Sequence, residues 1–339
     1  MLRSRSHALA EYVGIVARGS GRGRALTRQE ANEAMGIILS GAADPEAIGA
    51  LLMVLRYRGE TPEEIAGFAH AARASLDPWR NADVHLDWPS YAAGRTRGLP
   101  YFLLSAFLLA GEGVRTLMHG GQHQASLSGV GNALPLFGLA PARTPDEARA
   151  DLDATGFAYV PLTVLSPRLL ELLRLRHVLG LRSCINTVLR LLNPSLAAAS
   201  IQGVFHPPYV PLQIDAGIVL GDARVSVFKG GGGEAERTPF KPLTAATLRD
   251  GVKGQTEWPA LIPGLHRRLN EDEDPDPATL LALWRGDLSD VTAQAVIVGT
   301  AAIALETTGR ATADEADRVA LELWQARDRL AFPRHRQAA

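Results

Sequence analysis

Over the first 80 residues, polar and apolar positions alternate with a helical period and carry their own start and stop signals. Thr27-Arg-Gln-Glu30 has the spacing of a capping box ahead of apolar Met35, Ile37, Ile38 and Leu39. Asp44 before Pro45 reads as an N-cap and first-turn proline for a helix over 47–56. Thr61-Pro-Glu-Glu64 repeats the capping box before the run 65–76, and Gly41 and Gly59 stand where helices should stop. Three short amphipathic helices bury little alone. They are expected to pack on one another and to join a second copy of the chain in a homodimer.

From about residue 85 the pattern changes. Residues 99–110 form an almost wholly apolar helix, followed by Gly113 and a strand over 114–118. Further strands are expected at 156–160, 201–205, 216–220 and 224–228, with helices over 146–154 and 167–192 between them. Continuous apolar strands alternating with helices indicate a mostly parallel central sheet flanked by helices. The fold class is therefore α/β with a smaller all-α N-terminal domain. The last third reads as helices over 277–284, 291–305 and 312–330, with Thr312-Ala-Asp-Glu315 as a third capping box. The expected domains are a helical one over 1–84, joined by helices of about 166–195, and an α/β one made of 85–165 and 196–335.

Composition narrows the classes. A hydrophobic fraction of 46% over 339 residues supports two cores. The net charge of −1 gives no global pull toward a polyanion or a membrane, so any such pull must come from local clustering. The single cysteine, Cys184, excludes an internal disulfide, suits a reducing cytoplasm and is expected to be an inert core thiol. The start, Met1 to His7, carries charge without an apolar run, and the longest apolar stretch, 101–110, is about half of a bilayer span. The expectation is a cytoplasmic protein without a membrane partner. His123, His177 and His206 show no ligand spacing with Cys184, so no metal is assigned.

Several segments, in order, resemble the anthranilate phosphoribosyltransferase family, glycosyltransferases that share their fold with pyrimidine nucleoside phosphorylases. They are 26–31, Gly41, 48–56 and 59–67 in the helical part, then His119-Gly120 at a strand end. Arg176-x-x-Leu-Gly-x-Arg182, Asn186 and Leu192-Asn-Pro194 follow, then the glycine turn from Lys229 through Gly232 to Glu236, and finally Leu283-Trp-Arg-Gly286. The resemblance implies a nucleoside phosphorylase/phosphoribosyltransferase-like fold with a ligand cleft between the two domains.

The departures from the family's pattern bear on function. Its diphosphate loop, Gly-Thr-Gly-Gly-Asp, relies on glycines and a helix N-terminus to bring N–H groups to phosphate. Here that stretch is 87–100, with Trp88, Tyr91 and Pro100, and Pro100 removes an N–H near the helix start. The family's phosphate-binding lysine is Met118, and of its Mg²⁺-holding acidic pair the Asp is Ala235 while Glu236 remains. Losing three charge-assisted contacts costs at least about 4 kcal/mol, roughly a thousandfold in affinity. Phosphoribosyl diphosphate binding is therefore expected to be lost.

Basic residues replace it. Arg95 and Arg97 stand in the old loop, and 154–214 carries five arginines (168, 174, 176, 182, 190) against one acid, Glu171. Lys229, Arg237 and Lys241 flank the glycine turn. Trp88 and Tyr91 could stack bases, although packing is their commoner role, and His119 is more often a satisfied buried histidine than a catalyst. The resemblance is to the branch of the family that lacks the diphosphate motif and is associated with sequence-independent nucleic-acid binding. The expected phosphate contacts, for a single-stranded or non-specific nucleic acid, are Arg95, Arg97, Arg176, Arg182, Arg190 and Lys229. His119, Gly120, Gly232 and Glu236 would remain of the substrate cleft, with no catalytic residue and no cofactor assigned. The alternative is a transferase with an altered donor or acceptor, and only that reading needs Mg²⁺.

Overall fold

The computed structural model describes residues 7–19, 21–80, 83–91, 98–121, 129–264 and 276–330. Four helices open it: α1 (Ala10–Ala17), α2 (Arg28–Leu39), α3 (Pro45–Arg58) and α4 (Pro62–Ala74). Both expected capping boxes form, with Thr27 and Thr61 accepting from the N–H groups of Glu30 and Glu64. Glu64 does more than cap. It is wholly buried, accepts the Leu26 N–H at 2.8 Å and pairs with Arg58, so the start of α4 is tied to the chain entering α2. Gly67 lets α4 lie directly on α2, since a Cβ there would stand 2.4 Å from the Arg28 carbonyl oxygen. Asp44 makes no bond to its helix and instead accepts from His7 at 2.6 Å.

The α/β part begins with β1 (Leu86–Ser90), α5 (Tyr101–Gly111), β2 (Thr116–Gly120), α6 (Val130–Ala133), α7 (Pro145–Thr155) and β3 (Phe157–Pro161). Short helices α8 (Leu162–Leu165), α9 (Pro167–Arg174), α10 (Arg176–Leu179) and α11 (Ile185–Arg190) lead to β4 (Ala199–Val204). Then come α12 (Tyr209–Leu220), β5 (Arg224–Lys229), β6 (Leu243–Arg249), β7 (Val252–Trp258), α13 (Ala278–Arg285), α14 (Val291–Thr307) and α15 (Ala313–Ala326). Among the described residues these strands make one sheet in the order β3-β2-β1-β4-β5-β6-β7, parallel through β5 and antiparallel in β6 and β7. One core lies among α1–α4, α9 and α11; the other packs α5 and α14 against the sheet. No helix of the described residues is long and apolar enough to cross a membrane.

Several expectations are corrected here. Residues 216–220 are the end of α12, not a strand; packed between α4 and β5, this helix is apolar around much of its girth and loses a one-sided pattern. The span 167–192 is broken where Gly180 takes φ +70. The stretch 87–100, expected as the counterpart of the family's diphosphate loop, begins inside β1; β4 pairs with that strand only at Leu86 and Asp87, so Pro89 interrupts no ladder on that side. The β6–β7 hairpin turns at Asp250-Gly251, both with positive φ, and β7 is mostly exposed, which hid it in sequence. At α15 the Thr312 hydroxyl donates to the Glu315 carboxylate at 2.7 Å without accepting a helix N–H, so only part of that box forms.

Candidate anion-binding site

The chain leaves β1 toward β2 and β3 and returns to β4 on the other side. In open α/β sheets, ligands bind beyond the carboxyl ends of strands at such a reversal. Here β1 and β4 part after Asp87 and Ser200. Arg190 of α11 fills the gap: Nε donates to the Gly203 carbonyl at 2.9 Å, Nη2 to Tyr91 at 2.6 Å and Nη1 to Asn186 at 2.7 Å. Burial depresses its pKa, and the Glu234 charge works in the opposite direction. Arg190 was expected among the phosphate contacts. Three of its five N–H groups are instead committed to backbone carbonyls, and it is a buried clamp in the wall of a pocket.

That pocket, of about 80 Å³, is the candidate site. Asn186 and Arg190, one turn apart on α11, and Arg182 just before that helix lie on one wall, facing Phe205, His206, Tyr209 and Gln213 from the end of β4 and from α12. Arg56, near the end of α3, completes it and donates to the Tyr209 hydroxyl. Burial lowers the Arg182 pKa, and the charges of Arg176 and Arg56 lower it further. Among the described residues no acid pairs with Arg56, Arg176 or Arg182. Glu60 is near enough for Arg56 to act on its carboxyl, whose pKa is raised by burial, but the two form no ion pair. Exposed Lys229 pairs in register with Val204 at the same edge of the sheet.

The glycine turn lies beside the start of α5. Gly203 and Gly230 let the glycine turn lie against β4, since a Cβ on either would stand 2.1 or 1.7 Å from Glu234. Gly232, at φ +64, turns the chain back, and Glu236 reaches the first turn of α5, accepting the Phe102 N–H at 3.2 Å. Close packing of the backbone accounts for these glycines. A carboxylate thus stands where the helix N-terminus would meet an anion. Ala235 and Met118 are buried. Glu236 is a single carboxylate with one oxygen already accepting a hydrogen bond, where Mg²⁺ sites commonly use one or two carboxylates beside substrate phosphates.

Strand β2 delivers His119 to a buried relay. With Asp87 able only to accept, His119 Nε2 donates to it at 3.0 Å, and Nδ1 accepts from the Tyr91 hydroxyl at 2.8 Å. Ser200 donates to the other Asp87 oxygen at 2.8 Å. His119 is a satisfied core residue, and Gly120 beside it is required because a Cβ would stand 2.4 Å from the Ser90 carbonyl oxygen. Trp88 packs on Phe102, and Tyr91 is held by His119, so neither ring is available to stack a base.

The expected cluster is therefore divided. Arg182 lines the pocket and Lys229 stands at the carboxyl end of β5, while Arg176, on α10, is outside the pocket lining. Arg237 is buried inside the α/β core, paired with Asp317 at 2.6 Å beneath Trp258, and Arg168 pairs with Glu171. Arg95, Arg97 and His123 lie outside the described residues. Arg56 and Phe205 were missed because in sequence they read as a helix end and a strand end, and Gln213 because no element is expected over 206–215.

Two family models match the chain: a glycosyl transferase family's helical bundle domain over residues 17–76 and its a/b domain over 102–326. The anthranilate phosphoribosyltransferase of Desulfitobacterium hafniense is 32% identical over 66% of this chain and 66% of that protein. That of an Anaeromyxobacter species is 32% identical over 61% and 62%. The chain thus aligns with about two thirds of the length of these relatives. Among solved structures, anthranilate phosphoribosyltransferase from Thermus thermophilus superposes with a TM-score of 0.78 at 23% identity, covering 94% of both chains. The Saccharomyces cerevisiae enzyme in complex with PRPP and Mg gives 0.74 at 18% identity, over 94% of this chain and 93% of that one. The likeness to these structures establishes the shared fold. With both domain models matched in order, the chain belongs to this glycosyl transferase family and is an anthranilate phosphoribosyltransferase-like protein.

Proposed function

We propose that the protein binds nucleic-acid phosphates at its arginine-lined pocket and does not transfer phosphoribosyl groups. The observation that carries this reading is the meeting of Arg56 and Arg182 at one pocket, with Arg176 near enough for its charge to act on Arg182 and no acidic partner for any of the three among the described residues. Like charges drawn together and partly desolvated are costly until an anion joins them. The α5 N-terminus, where a diphosphate would sit, meanwhile holds Glu236. Exposed Lys229 extends the basic edge. Arg95 and Arg97 join the proposal by their position in sequence, between β1 and α5. Contacts to phosphates carry no sequence information of their own, so binding through these arginines should be sequence-tolerant.

The test is anisotropy of a labelled single-stranded oligonucleotide at low and moderate salt, beside calorimetry of phosphoribosyl diphosphate with Mg²⁺. Submicromolar strand binding that weakens log-linearly with salt is expected, with no micromolar donor binding. Micromolar donor binding would overturn the reading. Arg176, at the place where the family holds an anionic substrate, favours a second reading: a transferase with an altered donor or acceptor. Such an enzyme must saturate with a sugar phosphate and consume it when an acceptor is present.

A further inference from the structure

We infer that the mouth of the pocket seats one unpaired nucleotide, its phosphate on Arg56 and Arg182, its base on Phe205 and the Watson–Crick edge of that base reaching in toward Gln213. Gln213 lines the pocket, is 1% exposed, and its side-chain carbonyl has no hydrogen-bond partner. A buried acceptor left unpaired is costly, and native proteins keep few of them without a ligand or a water to supply the donor. The two arginines at the same pocket call for an anion, while Gln213 calls for an N–H. A nucleotide carries both groups. Inorganic phosphate near neutral pH offers acceptors in plenty and few donors.

The aromatic component is at the rim. Phe205 is 48% exposed and meets His206 edge-on at 4.8 Å, leaving ring surface for a base. Adenine, cytosine, guanine, uracil and thymine each have at least one N–H on the Watson–Crick edge. A single acceptor can therefore satisfy any of them, which agrees with sequence-tolerant binding. In a duplex that edge is occupied, so the pocket selects single strands. This inference rests on the nucleic-acid reading for its occupant, and adds the base to the phosphate.

The experiment compares nucleoside monophosphates with ribose 5-phosphate by calorimetry on the full chain, and single-stranded with duplex oligonucleotide by anisotropy. Nucleoside monophosphates should bind at least about tenfold more tightly than ribose 5-phosphate, the contribution of one stacked base. Gln213→Leu and, independently, the rim variant Phe205→Ala should each reduce that preference by about tenfold. Equal affinities for the two ligands, or a preference that survives both substitutions, would overturn the inference and leave any strand binding to phosphate contacts alone. A nucleotide preference without strand binding would uphold the pocket and sink the wider nucleic-acid reading.

Discussion

The Glu236 carboxylate accepts a hydrogen bond from the Phe102 backbone N–H, 3.2 Å away in the first turn of α5 and 134 residues earlier in the chain. A helix N-terminus attracts negative charge, and here the protein supplies that charge itself. Replacing Glu236 with Ala should cost about 1 kcal/mol of stability, in the range of a lost cap. Pyrophosphate should then raise the melting temperature of the variant more than that of the parent. An equal rise in both would show that Glu236 does not occupy the anion's place.

Arg56 and Arg182 frame the pocket from α3 and from the approach to α11. Replacing both with Ala should make the dependence of log affinity on log salt shallower by about 1.4, since each phosphate contact on a single strand contributes about 0.7. An oligonucleotide titration at several salt concentrations gives the slope directly, and an unchanged slope would remove this pair from the interface.

Arg190 spans the gap between β1 and β4. Arg190→Leu strands the carbonyls of Tyr91, Asn186 and Gly203 and should cost about 3–5 kcal/mol, as removal of one member of a buried polar set does. Denaturant unfolding measures this; a loss under about 1 kcal/mol would mean that the carbonyls find other donors.

Burial pushes the Cys184 thiol well above its ordinary pKa, with the charges of Glu60 and Glu64 adding to the effect. The thiolate is the reactive form. Ellman's reagent at pH 8 should therefore leave the folded protein untouched and titrate one thiol after denaturation. Rapid reaction of the folded chain would contradict this burial.

Hydrogen bonding to Arg24 holds the Glu30 carboxyl at about 2, below its ordinary 4.5. A depressed carboxyl pKa adds stability above about pH 4.5 that is lost as the pH falls through 2. The pair faces solvent, so the effect is small. In acid titrations the stability gap between the parent and Glu30→Gln should close across that window; a gap constant with pH would assign it to packing.

Several elements could be read from neighbouring residues alone. Both N-terminal capping boxes and the buried helix α5 depend on contacts within a turn or on a continuous apolar run. The β6–β7 hairpin and β1 escaped because their strand character lies in their pairing partners. Strand β7 shows polar residues to solvent, and β1 tolerates Pro89 only because β4 has already diverged.

The arginines show the same division at the site. By itself the sequence determined the two-domain fold and the concentration of positive charge between 154 and 241. Tertiary structure decided what each charge does. Arg190 and Arg237 are held inside by carbonyl oxygens and Asp317, whereas Arg56, Arg176 and Arg182 pair with no acid among the described residues. It also buried Trp88 and Tyr91 and turned Gln213 into the pocket. The physical reason is that a guanidinium is neutralised by whatever lies within about 4 Å of it, and for Arg190 and Tyr91 those neighbours are 99 residues apart in the chain.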